Sequence, residues 1–374
     1  MKPEIKKTRE NILNLVSELN TRVIGREDVV EALIIGMIAH ENVVIVSPPG
    51  CAKTYLIDQI CLLTNLTNFK YLMSKMTTDV ELFGPFNIPR LTKEGVLERN
   101  WSKMISADLI FLDEIFKASS DVLNMLLSLL NERRVYDAFT GTEVKVRAIS
   151  VIGASNEIPS EEELQALYDR FSIRLFIDYL NNEEALYNAF LARWFGNHNT
   201  EKTVLATRED FEVLHNYAMK IIRSKFDNCS FKDLFKDIVI PIVLTLRTNG
   251  ITISDRTLIE KLPKLISAYL ALYGAKFENF VIALFRALLY TAQNKEQIMD
   301  IINVLAREFK TVMPAIEIVN DVQKLIDNEE YEKAKDKLEE LRKYISEKPR
   351  SSLENKLHVA IEKWYEKLKN QLQV

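Results

Sequence analysis

A four-residue apolar run, Val43-Val44-Ile45-Val46, feeds directly into Ser47-Pro48-Pro49-Gly50-Cys51-Ala52-Lys53-Thr54-Tyr55, and this junction restricts the possible folds more than any other feature of the chain. A buried strand, a Gly/Pro turn and a helix that starts at Lys-Thr have the layout of a phosphate-binding loop. The turn's backbone N–H groups converge on phosphate oxygens, and the positive end of the following helix dipole faces the same point. In such a loop Lys53 reaches the β and γ phosphates and the Thr54 hydroxyl ligates Mg²⁺. The general pattern has Gly at the first position and Gly before the Lys, whereas this chain has Ser47 and Ala52. Taken by itself, the segment is also compatible with a βα turn that carries a lysine.

A second segment narrows the choice. Leu109-Ile110-Phe111-Leu112-Asp113-Glu114 is an apolar run that ends in two adjacent carboxylates, the signature of a buried parallel strand with acids at its carboxyl end. Ligands of open α/β sheets sit at that end. Asp113 is placed to hold Mg²⁺, and Glu114, one residue on, to polarise an attacking water. The plainer reading, two acids capping a strand, is weakened by the order of the two segments and the helical stretch between them.

Composition excludes several classes. The 374 residues are 47% hydrophobic and 27% charged, as expected of a globular chain with two or three domains. A net charge of −4 argues against a broad basic nucleic-acid surface. Cys51, Cys61 and Cys229 are widely spaced and form no CxxC pair, so neither a zinc site nor a disulfide framework is expected. No run is long and apolar enough to span a bilayer, and the first residues lack an apolar leader segment. The expectation is a cytoplasmic protein without a membrane anchor.

Helical spacing of apolar residues predicts helices from Thr8 to about Leu19 and from Glu27 to Ala39, then from Thr54 to about Leu63 and from about Ser119 to Asn131. Strands are predicted near Lys70–Met73, at Leu109–Asp113, in the stretch that ends at Asn156 and at Leu175–Ile177. Val135–Thr142 and the residues from Val144 form a predicted hairpin. This alternation implies a parallel sheet covered on both faces. After about Asn181 the strand signal disappears, and segments 208–223, 231–248, 255–273 and 277–292 read as helices of a separate all-α unit. Residues 331–345 and 352–372 suggest a helical hairpin. The expected division is a core over residues 1–180, an all-α lid over 181–292 and a helical extension over 293–374.

With these segments in order, the chain resembles an AAA+ ATPase of the MoxR family, and within it the RavA-like branch. Residues 47–54 resemble the family's phosphate loop, in which Ala before the Lys is usual. Phe111–Ala118 resembles the branch's Walker B segment and Leu129–Arg134 the stretch after it. Ala154–Pro159 resembles sensor 1, Leu167–Phe171 the segment with the arginine finger, and Ser254-Asp255-Arg256 the start of the sensor 2 helix. The likeness extends from about Val23 to Tyr273.

The resemblance implies roles for particular residues. Pro49 through Tyr55 hold the phosphates of ATP, Val23-Ile24-Gly25-Arg26 covers the adenine with the apolar Val23 and Ile24 against the base, and Arg256 touches ATP from the lid. Asn156 orients the lytic water with Glu114. Arg170 is the implied finger, reaching a neighbouring subunit's ATP; Arg174 is its rival, and Arg133 and Arg134 are further candidates. Leu82 to Trp101 takes the position of the family's helix-2 insert, and the hairpin around Phe139 that of its pre-sensor-1 insert. The family further implies a ring of six subunits and a protein client, often with a von Willebrand factor A (VWA) domain partner, in chaperone-like maturation of protein complexes. Two other functions fit the same fold: a nucleic-acid-stimulated motor, disfavoured by the acidic charge, and a nucleotide-gated scaffold with little hydrolysis.

Overall fold

The computed structural model describes residues 3–195, 204–226, 229–308 and 330–346, with scattered single positions between 318 and 372. They fall into two compact units, Met1–Met219 and Lys220–Val374.

The first unit opens with two helices, α1 (Pro3–Arg22) and α2 (Glu27–Ala39). Helix α1 begins five residues ahead of the predicted start, because its first turns are polar and carry no apolar period. After α2 the chain alternates. Strand β1 (Val43–Val46) is followed by α3 (Lys53–Leu63) and β2 (Asn68–Leu72), then by two short helices, α4 (Asp79–Phe83) and α5 (Ile88–Glu94). Next come β3 (Leu109–Asp113), a single tight turn at Ile115–Lys117 and α6 (Ser120–Glu132). Strands β4 (Arg134–Asp137) and β5 (Thr142–Lys145) form the expected antiparallel hairpin. The unit ends with β6 (Ser150–Ser155), α7 (Glu162–Tyr168), β7 (Ile173–Phe176), α8 (Glu183–Trp194) and α9 (Arg208–Ile221).

Five strands form one parallel sheet in the order β2-β3-β6-β1-β7. Successive strand side chains point to opposite faces, and here both faces are covered. Val44, Val46, Ile110, Leu112 and Val151 share a core with Leu126 and Leu129 of α6 and with Leu167, Tyr168 and Phe171. The intervening Val43, Ile45, Leu109, Phe111 and Ile152 are equally buried. Such strands read as continuous apolar runs, which is why they stood out in the sequence. Gly153 on β6 lies in a tight place: a Cβ there would lie 3.0 Å from Phe171 Cζ and 3.2 Å from Ile115 Cγ2. At the opposite end of the sheet from the phosphate loop, Asp108 gathers Arg208 of α9 at 2.5 Å and Arg147 at 2.9 Å.

The second unit is helical with one exception to the all-α expectation. Strands β8 (Lys225–Phe226) and β9 (Cys229–Ser230) pair as a short antiparallel ribbon, too short to show any alternation in sequence. Helices follow at Phe231–Leu234, Ile240–Thr248, Leu262–Tyr273, Phe277–Tyr290 and Lys295–Glu308. The first and third are joined to their neighbours by wide π turns at Phe235–Val239 and Thr257–Lys261. A further helix spans Tyr331–Ser346. The second arm of the helical hairpin predicted over 352–372 lies outside the described residues.

Candidate nucleotide site

Parallel strands bring their carboxyl ends to one edge, and β1, β3 and β6 each deliver polar residues there. Ser47 follows β1, Asp113 and Glu114 end β3, and Ser155 and Asn156 end β6. The Ser47 N–H donates to Ser155 O at 3.0 Å, which joins the first residue of the loop to the neighbouring strand. Gly50 has φ 81° and Ala52 φ 60°. Two left-handed residues so close together curl the chain and turn its N–H groups inward, forming an anion-accepting concavity.

Lys53 begins α3 and reaches back over the loop. Its Nζ donates to Ser47 O at 3.2 Å and to Asn156 Oδ1 at 2.9 Å. The Asn156 amide donates in turn to Glu114 Oε1 at 2.5 Å, and the other Glu114 oxygen lies 3.5 Å from Lys117 Nζ. Glu114 has φ 52°, a conformation that costs a non-glycine residue on the order of 1–3 kcal/mol and concentrates at functional sites. The left-handed turn directs Glu114 out of the strand while Asp113 Oδ1 accepts its N–H at 3.0 Å. Thr54 is exposed in the first turn of α3 and Asp113 is half-buried. A hydroxyl and a carboxylate on the rim of an anion-accepting loop are suitable donors for Mg²⁺.

Beside the loop is a cavity of about 400 Å³, lined by Gly50, Cys51, Ala52 and Tyr55 together with Val23 and Ile24. The residues expected to hold phosphate and those expected to cover a base therefore share one space. Arg26, from the segment expected to cover the adenine, also lines it, and Arg22, Tyr179, Leu180, Leu186, Ala189 and Arg193, which the sequence reading did not include, complete the lining. Tyr179 donates its hydroxyl to Pro49 O at 3.1 Å, Arg26 reaches Asp178 O at 2.6 Å, and the Arg193 guanidinium lies 6.0 Å from the Tyr55 ring. A signal for Tyr179 was available. It follows β7, which ends at the same edge as β1, so the rule that pointed to Asn156 points to it as well.

The candidate arginines separate clearly. Arg174 is buried within its own chain, 3.3 Å from Asp169 and 4.8 Å from the Tyr168 ring centre, and burial lowers its pKa. Arg133 lies on carbonyls of Leu129, Ala148 and His40 at 3.4, 3.1 and 3.3 Å, and burial brings its pKa down to about 10. Arg134 pairs with Glu143 on the exposed hairpin. Arg170 differs from all three. Its carbonyl accepts from Asn42 Nδ2 at 3.3 Å, and its guanidinium makes no hydrogen bond or ion pair among the described residues. Arg256 belongs to the second unit, where its Nε donates to Glu260 at 3.2 Å.

Residues 10–216 match the model of the MoxR domain in the MoxR-vWA-beta-propeller ternary systems. The chain belongs to the MoxR family of AAA+ ATPases. This MoxR chain is 36% identical over 258 residues to an uncharacterised protein of Methanocaldococcus jannaschii, and 32% identical over 263 residues to a second one from that organism. Each match covers 69% of the MoxR chain, and 65% and 64% of the relatives' own lengths. A structural protein of Acidianus two-tailed virus is 29% identical over 60% of the chain and 38% of its own length. Among solved structures, a Cytophaga hutchinsonii protein provisionally described as an ATPase superposes with a TM-score of 0.60 at 19% identity, over 80% of the MoxR chain and 96% of its own. No helix among the described residues is long and apolar enough to cross a membrane.

Proposed function

We propose that this chain hydrolyses ATP as one subunit of a ring, probing or remodelling a protein client with the free energy released. The observation that carries this reading is the continuous chain of contacts from Lys53 through Asn156 to Glu114. It aligns the group that senses the γ phosphate with the carboxylate that activates water. In the reaction, Glu114 accepts a proton from the attacking water while the Asn156 amide fixes the direction of the carboxylate. Lys53 and the loop amides offset charge on the transferred phosphoryl group. Thr54 and Asp113 would hold Mg²⁺, which would neutralise phosphate charge.

Arg170 is our choice of finger. Its rivals hold carbonyls or carboxylates of their own chain, whereas the Arg170 guanidinium has no such contact among the described residues; in the AAA+ arrangement it would stabilise the transition state in the adjacent subunit, an effect worth about 10³ or more in rate. That requirement for a neighbour is the physical reason to propose a ring, six-membered as the family implies. The matched family description supports a VWA-domain partner and a β-propeller protein as components of the same system. The finer assignment to the RavA-like branch rests on Phe111–Ala118 and Leu129–Arg134.

ATP turnover measured against protein concentration, for wild type alone and mixed with Arg170→Ala, tests the reading. Specific activity that rises with assembly and falls more than in proportion to added variant is the expected outcome. Turnover independent of concentration and indifferent to the variant would overturn it.

A further inference from the structure

Arg99 is a charged side chain with no exposed surface, lying on an excursion from the sheet rather than in the central core. Arginine is almost never fully buried unless every donor is occupied, and the bonds around Arg99 show what it joins. Nε donates to Asp137 Oδ2 at 2.8 Å, Nη2 to Asp79 Oδ2 at 2.7 Å and Nη1 to Gly84 O at 2.7 Å. The planar guanidinium is covered by Phe86, 4.5 Å from its ring centre, with Trp101 at 5.9 Å. Asp79 and Gly84 bracket α4, so two of the bonds stay within the excursion of residues 79–101. Asp137 ends β4, so the third crosses to the hairpin of residues 134–145. Phe86 and Phe139 make a second crossing contact, edge to face at 6.0 Å.

Apolar packing would have joined the two segments as firmly as a buried ion pair, since desolvating both charges cancels much of their attraction. What directional bonds add is a fixed orientation. Asp137 is 1% exposed, so neither charge has water to turn to if the other moves away.

The base of the same excursion touches the nucleotide edge. Ser119 Oγ donates to Thr77 O at 3.2 Å, just past the turn that begins at Glu114. Thr78 then caps α4 reciprocally with Glu81, and Asp79 is the next residue. Met73 N–H also bonds Asp113 O at 2.8 Å. Hydrogen bonds therefore connect the Glu114 edge through Ser119 and Thr77 to α4, and through Arg99 to the hairpin.

We propose that Arg99 clasps the helical excursion and the hairpin into one body, so that both respond together to events at the Glu114 edge. The clasp follows from the contacts above, whereas the response to nucleotide rests on the proposed ATP site. The two joined segments carry Ile88, Tyr136 and Phe139, all more than half exposed.

Hydrogen–deuterium exchange of the full chain, with and without ATP and with ATP binding measured in the same samples, provides the test. In wild type we expect nucleotide to alter exchange in residues 79–101 and 134–145 together. In Arg99→Met, exchange of the hairpin amides should rise about tenfold or more through local opening and lose its nucleotide response, while segment 79–101 keeps its own. The double variant Arg99→Met with Asp137→Leu removes both charges and guards against loss of folding; it should uncouple the hairpin in the same way. A hairpin that still follows nucleotide in either folded variant overturns the proposal, as does a wild type that binds ATP with neither segment responding. If ATP does not bind, the nucleotide reading fails by itself, and nucleotide-free exchange of the variants still decides whether Arg99 is the clasp.

Discussion

Ala52 holds φ 60° immediately before the phosphate-loop lysine, where a Cβ is disfavoured by roughly 1 kcal/mol or more. Ala52→Gly should therefore raise stability by about 1 kcal/mol in urea unfolding, despite the greater freedom it gives the unfolded chain. Glu114 carries comparable backbone strain at φ 52°, but there the side chain is the reason for it. Glu114→Gln should lower kcat by about 10²- to 10⁴-fold while leaving ATP affinity within a few-fold, as read by equilibrium binding. Lys53, Asn156 and Glu114 were legible in sequence because each terminates or follows an apolar run that ends at the same sheet edge. The choice between Arg170 and Arg174 was not. Four residues apart on either side of a strand start, they differ only in that Arg174 turns inward onto Tyr168, and no local pattern encodes that.

Among the elements, β1, β3 and β6 were visible as apolar runs, whereas the edge strand β2 mixes polar and apolar residues; α2 was visible as an uninterrupted period. Helix α8 was missed because it has no buried residue to create a stripe; α4 and α5 span fewer than two helical turns each. The Arg99 contacts were illegible for another reason, since Asp137 lies 38 positions away and pairs with it only once both excursions are folded. Removing one member of such a buried pair costs about 3–5 kcal/mol, the loss expected for Arg99→Met in a denaturation titration. The pH dependence has a definite sign. Burial pushes the Asp137 carboxyl up, but hydrogen bonds from Arg99 and the Phe139 N–H outweigh it and hold the carboxyl below the ordinary aspartate range. A depressed folded pKa means that the contribution is complete above the unfolded value of about 3.9 and is lost as pH falls through the folded one. Wild type and Arg99→Met should thus differ by a constant margin from neutrality to about pH 5 and converge in stronger acid, with Arg99, Asp79 and Asp137 as the charged groups concerned.

At the scale of the whole molecule, the proposed work is divided between copies, and one buried amide serves that division. Asn42 Nδ2 donates to Leu130 O at 2.8 Å and to Arg170 O at 3.3 Å, holding the backbone of the residue proposed as the finger. Asn42→Leu should reduce turnover while sparing ATP binding. Mixed with Glu114→Gln, it should recover activity, because each variant supplies what the other lacks; absence of recovery would assign Asn42 a purely structural part. Gly153 has a related consequence. The hydrogen in place of its side chain leaves room for Phe171, next in sequence to Arg170, and for Ile115, next to Glu114. A methyl group there would press on both segments, one proposed to serve its own nucleotide and one proposed to serve the adjacent subunit's. A single core substitution would then cause two lesions in different active sites, and dilution with wild-type subunits would cure each at a different rate.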